Sequence, residues 1–101
     1  MSAVYEKIKR LEKYLAADAQ TDPVVEQTVD KLLQRETTRL TEMRTRLEIQ
    51  QGEFETRHGM KSADFYERFE RGELGDAMDF VEWSATYEMI ANLDKRLAFL
   101  E

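Results

Sequence analysis

Apolar residues recur with a helical period near the start of the chain. The first set repeats at spacings of three and four residues and consists of Val4, Ile8, Leu11 and Leu15. This spacing places the four side chains on one face of an amphipathic helix. Polar residues then interrupt the pattern, so a first helix is predicted over residues 3–17.

A much longer helix is predicted over residues 23–58. Asp22 followed by Pro23 is a start signal, because Asp is favoured at the N-cap and Pro at the first helical position. Gly59 suits the left-handed backbone that ends many helices. The apolar positions between these signals form a narrow, coiled-coil-like oligomerisation seam of Val29, Leu33, Leu40, Met43, Leu47 and Phe54. We therefore expect this helix to be an arm that packs on a second chain or on a partner.

Two shorter helices complete the predicted chain. Ser62 is placed to cap a helix of about residues 63–71, because its hydroxyl can accept a bond from a free helical N–H. Asp76 and Asp79 resemble a capping box, which predicts the start of a C-terminal helix over about residues 77–100. Both helices would follow the long arm closely, with only short connections.

These elements define the predicted fold class as all-α: an extended helical hairpin or coiled-coil-like arm with a short helix and a C-terminal helix. With 101 residues, the chain is expected to form a single helical domain, residues 1–101. It contains no Cys, which excludes disulfides, thiolate metal sites and thiol nucleophiles. No apolar run is long enough to cross a bilayer, and the first residues lack a signal-peptide pattern. A cytoplasmic protein that does not associate with membranes is therefore expected.

Charge and aromatic residues are concentrated in residues 59–88, which we call the acidic-aromatic segment. Acidic residues stand at every third position in it: Asp64, Glu67, Glu70, Glu73, Asp76, Asp79 and Glu82. The segment also holds six of the ten aromatic residues: Phe65, Tyr66, Phe69, Phe80, Trp83 and Tyr87. Over residues 62–88, eight acidic residues stand against Arg68 and Arg71, a net charge of −6 that equals the charge of the whole chain.

Two interpretations of the acidic-aromatic segment are open. In the first, the acids cap helices and face solvent while the aromatic residues form the core. In the second, the acids steer a basic partner and the aromatic residues anchor it, with Trp83 and Tyr66 as the preferred anchors. The second interpretation predicts a partner-binding set of Phe65, Tyr66, Glu67, Phe69, Glu70, Asp76, Asp79, Glu82, Trp83 and Tyr87.

The same segment carries an ordered motif. It reads Gly59-Met60-x-Ser62-x-x-Phe65-x-x-Arg68-Phe69-x-x-Gly72-Glu73-Leu74-Gly75-Asp76-x-x-Asp79-Phe80-x-Glu82-Trp83, followed by Tyr87-Glu88. This motif resembles one in small helical prokaryotic antitoxin-like proteins, the partners of TumE-like endoribonuclease toxins. The resemblance implies a protein that binds a basic toxin, an endoribonuclease, and neutralises it by covering its surface. The seam of the long helix separately predicts a homo- or hetero-oligomer.

The residue types argue against an enzyme, and no cofactor or metal is predicted. The chain has a single His, no Cys and no Gly-rich phosphate loop. His58, beside Gly59, is instead expected at a helix end, where it meets the helix dipole or solvent. One catalytic alternative is a Mg²⁺-dependent nucleotide hydrolase that uses carboxylates. Its candidate ligands, spaced three residues apart, are Glu67, Glu70, Asp76, Asp79 and Glu82.

Direct nucleic-acid binding is not predicted, because phosphate binding needs clustered cations and this chain is acidic overall. Acidic residues also intersperse the arginines of the long helix, which are Arg35, Arg39, Arg44 and Arg46. A remaining alternative is a structural oligomer. In that case the long helix would form a tight homodimer through Leu33, Leu40 and Leu47, and the acidic-aromatic segment would not contribute.

Overall fold

The computed structural model describes residues 2–17 and 22–101 of the chain. Its elements are α1 (Ala3–Ala17), α2 (Pro23–His58), α3 (Ser62–Glu70) and α4 (Met78–Ala98). These described ranges contain no β-strand, so the all-α fold class is confirmed. The chain divides into two compact units, Met1–Leu33 and Gln34–Glu101, which we call the N-terminal unit and the C-terminal unit. The single-domain organisation expected from the chain length stays a prediction.

The long helix α2 begins and ends where the sequence predicts. The Val24 N–H donates to Asp22 Oδ1 at 2.8 Å, so Asp22 is the N-cap ahead of Pro23. At the other end, Gly59 has a φ of +63°, a left-handed conformation in which glycine is favoured. The helix is continuous over its 36 residues. At 1.5 Å per residue, this length is about 54 Å.

The start of α3 differs from the prediction. Lys61 is the N-cap, in an extended conformation, and Ser62 is already the first helical residue. The Ser62 N–H and hydroxyl both donate to Glu55 Oε2 at 2.8 Å. The prediction that Ser62 caps α3 is therefore wrong. A carboxylate from the last turns of α2 satisfies the free N–H instead, and this bond joins α3 to α2.

The start of α4 also differs from the prediction. Ala77 is the N-cap, makes no side-chain cap bond, and is followed by Met78 as the first helical residue. The capping box predicted from Asp76 and Asp79 is therefore wrong. Asp79 instead pairs with Arg57 of α2 at 2.7 Å, because a cationic partner is available there.

Aromatic side chains form the core of the C-terminal unit. Phe54 of α2, Phe65 of α3 and Trp83 of α4 are buried at its centre. The rings of Phe65 and Trp83 lie within 5° of parallel with centroids 3.8 Å apart, and Phe54 stacks on Trp83 at 5.9 Å. Partly buried side chains surround these three: Met60, Tyr66, Phe69, Leu74 and Phe80. Three helices therefore share one aromatic cluster.

Ion pairs show that α2 and α4 run antiparallel within the C-terminal unit. Arg57, near the end of α2, contacts Asp79, near the start of α4, at 2.7 Å. Arg44, earlier in α2, contacts Asp94, near the end of α4, at 2.5 Å. Away from the aromatic cluster, the buried apolar side chains of these two helices are Leu40, Ile90 and Leu93. The predicted hairpin is thus formed by α2 and α4.

The packing of the C-terminal unit contradicts the prediction for two residues of the oligomerisation seam. Leu40 and Phe54 are 3% and 5% exposed, so they belong to the core of their own chain and offer no surface to a second one. For Phe54, the physical reason is that Phe65 of α3 and Trp83 of α4 pack against it. The other seam positions keep accessible surface, and they are Val29, Leu33, Met43 and Leu47. Oligomerisation through those four residues stays a prediction.

Candidate partner-binding surface

Helix α3 separates the aromatic and acidic residues of the acidic-aromatic segment onto two faces. Ser62, Phe65 and Phe69 recur at spacings of three and four residues, so they share the inward face. Ser62 and Phe65 are buried, and Phe69 is half-buried. Glu67 and Glu70 fall on the other side of the helix and are exposed. The aromatic side therefore fixes the helix in place while the acidic side faces outward.

Two glycines turn the chain from α3 into α4. Gly72 and Gly75 have φ values of +75° and +79°, which other residues adopt only with strain. Leu74, between them, packs against the aromatic core. Glu73 and Asp76 are exposed on the same turn. The turn is thus held by Leu74 and by backbone bonds from Gly72 and Glu73 to α3. Of its two carboxylates, that of Glu73 pairs with Arg71 at 3.6 Å.

Phe65 and Trp83 are 0% exposed, the most buried side chains of the described residues. The Trp83 Nε1–H donates to Ser62 Oγ at 2.8 Å, so even the polar atom of the indole has its partner inside the chain. Neither side chain offers surface to a partner in this fold. The prediction that these two residues anchor a partner is therefore corrected: they are core residues, because stacking across helices buries their apolar surface.

Tyr66 and Tyr87 keep the accessible surface that an anchor needs. Both are half-buried, and their rings stack with centroids 4.6 Å apart and an interplanar angle of 27°. The Tyr66 hydroxyl donates to Glu88 Oε1 at 2.5 Å, and chiefly this bond raises the pKa of Tyr66 to about 12. The two rings and Glu88 line a shallow pocket of about 250 Å³, with Ala91, Asn92 and Lys95 as the other lining residues.

The predicted acidic contacts fall into two groups. Glu67 pairs with Arg71, and Asp79 pairs with Arg57, so these two carboxylates already have a cation in their own chain. The second group is exposed and forms no ion pair with the residues that the structure describes: Glu70, Asp76 and Glu82. The second group is therefore the part of the acidic surface that a cationic partner can neutralise.

Asp79 has a structural role that the sequence did not predict. Its Oδ2 accepts a hydrogen bond from Arg57 Nη1 at 2.7 Å and lies 3.1 Å from His58 Nε2. The Arg57 bond and then the His58 bond are the largest causes that lower the pKa of Asp79. The His58 ring also stacks on Trp83 at 5.6 Å and contacts Phe80 at 5.1 Å. His58 lies at the end of α2, as expected, and these contacts with Asp79, Trp83 and Phe80 are additional to that position.

Sequence reasoning missed the residues of α2 that hold this surface in place. The available signal was a cluster of polar side chains just before the helix-ending glycine: Glu55, Arg57 and His58. Their partners lie 7 to 22 residues further along the chain, beyond the reach of any local pattern. Glu55 and Arg57 consequently join α2 to the starts of α3 and α4.

The acidic residues do not converge on a metal site. Among residues 2–17 and 22–101, no group of three or more His, Cys, Asp or Glu side chains is arranged to hold a metal ion. The ligand set of the hydrolase alternative is therefore not brought together in this part of the chain. None of the helices in the described ranges is long and apolar enough to cross a membrane.

Comparisons of the chain with models of protein families, with curated proteins and with solved structures find no match. Function is therefore inferred from the surface itself and from the motif of residues 59–88. Residues 59–88 provide three exposed carboxylates, two stacked tyrosines and aromatic side chains of the core. The stacked tyrosines line one pocket, and Glu82 lines another beside Arg46 and Arg57 of α2.

Proposed function

We propose that this protein binds a basic partner protein through the outer face of α3, the turn after it and the first half of α4. The observation that carries the proposal is the position of Glu70, Asp76 and Glu82, which are exposed and have no ion pair among the described residues. They lie on a segment whose other side is fixed by Phe65 and Trp83. A preorganised surface loses little conformational entropy on binding, which favours affinity.

The charge of the segment supports a basic partner. Residues 62–88 have a net charge of −6, and that is also the net charge of the whole chain. Complementary charge speeds diffusional encounter and discriminates against partners of the wrong sign. Ion pairs with Arg71 and Arg57 neutralise only Glu67 and Asp79 of the predicted acidic set. Glu70, Asp76 and Glu82 thus keep carboxylates without an ion pair among the described residues, and these can attract an approaching cationic surface.

Tyr66 and Tyr87 supply the contact area of the proposed site. Tyrosine is enriched at energetically important interface positions, because one ring combines a large apolar face with a polar hydroxyl. The two rings are half-buried and stacked, so their orientation is already set. They take the anchoring role that Phe65 and Trp83, as core residues, do not have.

The partner in this proposal is a basic toxin, an endoribonuclease. This part is supported by the motif of residues 59–88, which resembles that of antitoxin-like proteins. A protein that binds RNA needs a cationic surface for the phosphates, and an acidic surface of the kind described is complementary to it. The protein would act in the cytoplasm by covering that surface, and it would need no catalytic step of its own.

Charge reversal at two exposed acids tests the surface. Glu70→Lys combined with Glu82→Lys should slow association with the partner about tenfold at low salt, because steering depends on the local field. The matched control is Asp30→Lys combined with Glu42→Lys, which changes the net charge equally at exposed positions of α2. The partner is first isolated from the native host with the tagged full chain, and association rates are then measured with purified proteins.

Two results would contradict the proposal in separable ways. Equal association rates for the reversal variant, the control and the unchanged chain would show that the acidic surface does not bind. The toxin assignment has its own test: expression of the isolated partner alone should arrest growth, and co-expression of this chain should restore it. Binding without growth arrest would leave the basic partner in place and reject the toxin.

A further inference from the structure

Helix α1 has an apolar side, which we call its seam, that is largely exposed to solvent. Val4, Ile8 and Leu11 are 63%, 52% and 41% exposed. Among the described residues of the N-terminal unit, Leu15 and Val25 are half-buried and all others are exposed. A helix of 15 residues is marginally stable in water unless tertiary packing covers its apolar face. The seam of α1 is therefore suited to a second helix.

We propose that α1 pairs with α1 of a second copy of this chain as a short, parallel, two-stranded coiled coil. The apolar spacings of four, three and four residues place Val4 and Leu11 at heptad position d, and Ile8 and Leu15 at position a. Two apolar positions per heptad make a narrow seam that covers one partner helix. Ile8 at a with Leu11 at d is the combination that favours two parallel strands, whereas Leu15 at a and Val4 at d are the reverse combination.

The charges beside the seam fit the same pairing. Lys7 stands at heptad position g and Glu12 at position e. In a parallel pair, a g residue faces the e residue five positions further along the other helix, so Lys7 faces Glu12 of the second copy. Two-fold symmetry repeats this contact on the other side of the seam. Neither residue forms an ion pair within the described ranges of its own chain.

The main rival is an antiparallel pairing of α1 with the first turns of α2, which also carry exposed apolar residues. The spacings match in a register that sets Leu11 against Val29. In that register Glu12 lies beside Glu26, and two like charges next to the seam disfavour the pairing. In the α1–α1 pair, the same Glu12 faces a lysine.

The absence of cysteine from the sequence permits a direct test with the full chain. In the parallel pair, Leu11 faces Leu11 of the second copy, so Leu11→Cys should give a disulfide-linked dimer under mild oxidation. Arg10→Cys, on the outer side of the same helix, is the matched control and should form no disulfide-linked dimer. A mixture of Leu11→Cys and Ile8→Cys chains should form only disulfides between identical positions. A mixed 8–11 disulfide would indicate an antiparallel pair and overturn the proposal.

A second mixture tests the rival pairing. Leu11→Cys and Val29→Cys chains should not cross-link with each other, and a mixed disulfide between them would show that α1 packs on α2. No cross-link of Leu11→Cys above the Arg10→Cys level would also overturn the proposal. Because these variants lie outside the acidic-aromatic segment, failure here is independent of the proposed binding of a basic partner.

Sedimentation equilibrium of the unmodified sequence and of charge variants gives a second readout. Lys7→Glu should raise the dimer dissociation constant about tenfold, because two contacts per dimer change from attraction to repulsion. Adding Glu12→Lys to that variant restores opposite charges and should return the constant to within about twofold of the original. Helical content by circular dichroism checks that α1 still forms. A protein that is monomeric at all concentrations and binds vesicles of anionic phospholipid through α1 would overturn the proposal.

Discussion

The two units of this protein have the same kind of amphipathic sequence and opposite degrees of burial. In the C-terminal unit, six apolar side chains are buried: Leu40, Phe54, Phe65, Trp83, Ile90 and Leu93. In the described residues of the N-terminal unit, no side chain is buried, although the apolar spacing of α1 is regular. The difference arises because helices of the C-terminal unit cover one another. An amphipathic face therefore predicts that a helix needs a partner, but not in which molecule that partner lies.

The hydrogen bonds of the two units differ in the same sense. In the C-terminal unit, Trp83 donates to Ser62, which donates to Glu55, and these links join residues 21 and 7 positions apart. In the N-terminal unit, the side-chain bond of Ser2 to the Tyr5 N–H joins residues only three positions apart. Local bonds hold single helices, whereas distant bonds join helices into one cooperative unit. We therefore expect the N-terminal unit to open at lower free energy than the C-terminal unit.

The largest effect should come from removing the centre of the aromatic core. Trp83→Ala is expected to lower the free energy of unfolding of the C-terminal unit by about 3–5 kcal/mol. That is a large share of the roughly 5–15 kcal/mol that stabilises a typical domain. Leu11→Ala is the matched truncation in the N-terminal unit. Because Leu11 is 41% exposed, its loss should cost less than about 1 kcal/mol in the monomer.

Both variants are best compared by denaturant unfolding followed by circular dichroism, below the concentration at which copies associate. The signal of the helices remains when the only tryptophan is removed. Equal losses of stability for Trp83→Ala and Leu11→Ala would contradict the difference in burial between the two units.

Replacing one serine in each unit should change the free energy of unfolding less than Trp83→Ala does. The two serines are Ser62 in the C-terminal unit and Ser2 in the N-terminal unit. Ser62→Ala removes the acceptor of the buried Trp83 N–H and one donor to Glu55. An unsatisfied buried group of this kind costs about 1–3 kcal/mol. Ser2→Ala removes the bond to the Tyr5 N–H and should lower the helicity of α1 alone. Unfolding followed by Trp83 fluorescence should shift for Ser62→Ala and stay unchanged for Ser2→Ala. A shift for Ser2→Ala would mean that the units unfold together.

Local signals predicted the helices, whereas contacts between helices could not be predicted from the sequence. Asp22 and Pro23 gave the start of α2, and Gly59 gave its end, because each acts on the backbone next to it. The inward position of Trp83 depends on Phe54, which belongs to a different helix. Acids at every third position among aromatic residues fit a core and an interface equally well. The sequence pattern therefore could not decide whether the aromatic residues face inward or bind a partner.

The acidic surface was predicted only in part, because contacts between helices could not be predicted from the sequence. Glu70 and Glu82 were expected to be available to a partner and are exposed. Asp79 was placed in the same set, but Arg57 and His58 of α2 occupy its carboxylate. Nothing near Asp79 in the sequence indicates that these two residues would meet it. Spacing therefore identified which side of a helix is polar, and only the fold shows which of those polar groups already have partners.

The smallest expected effect is a pH dependence that should appear in the C-terminal unit alone. Arg57 and His58 hold the pKa of Asp79 below its ordinary value. A carboxyl group whose pKa is lowered by folding stabilises the protein above its unfolded pKa of about 4, and this contribution disappears as the pH falls through the folded value. Asp79→Asn should therefore be slightly less stable than the unchanged chain at neutral pH, and the difference should vanish on acidification.

The control, Asp30→Asn in the N-terminal unit, changes an exposed carboxylate that has no ion pair among the described residues. Thermal unfolding from neutral to acidic pH compares the variants, and a pH-independent difference for Asp79→Asn would show that its carboxylate charge does not join α4 to α2.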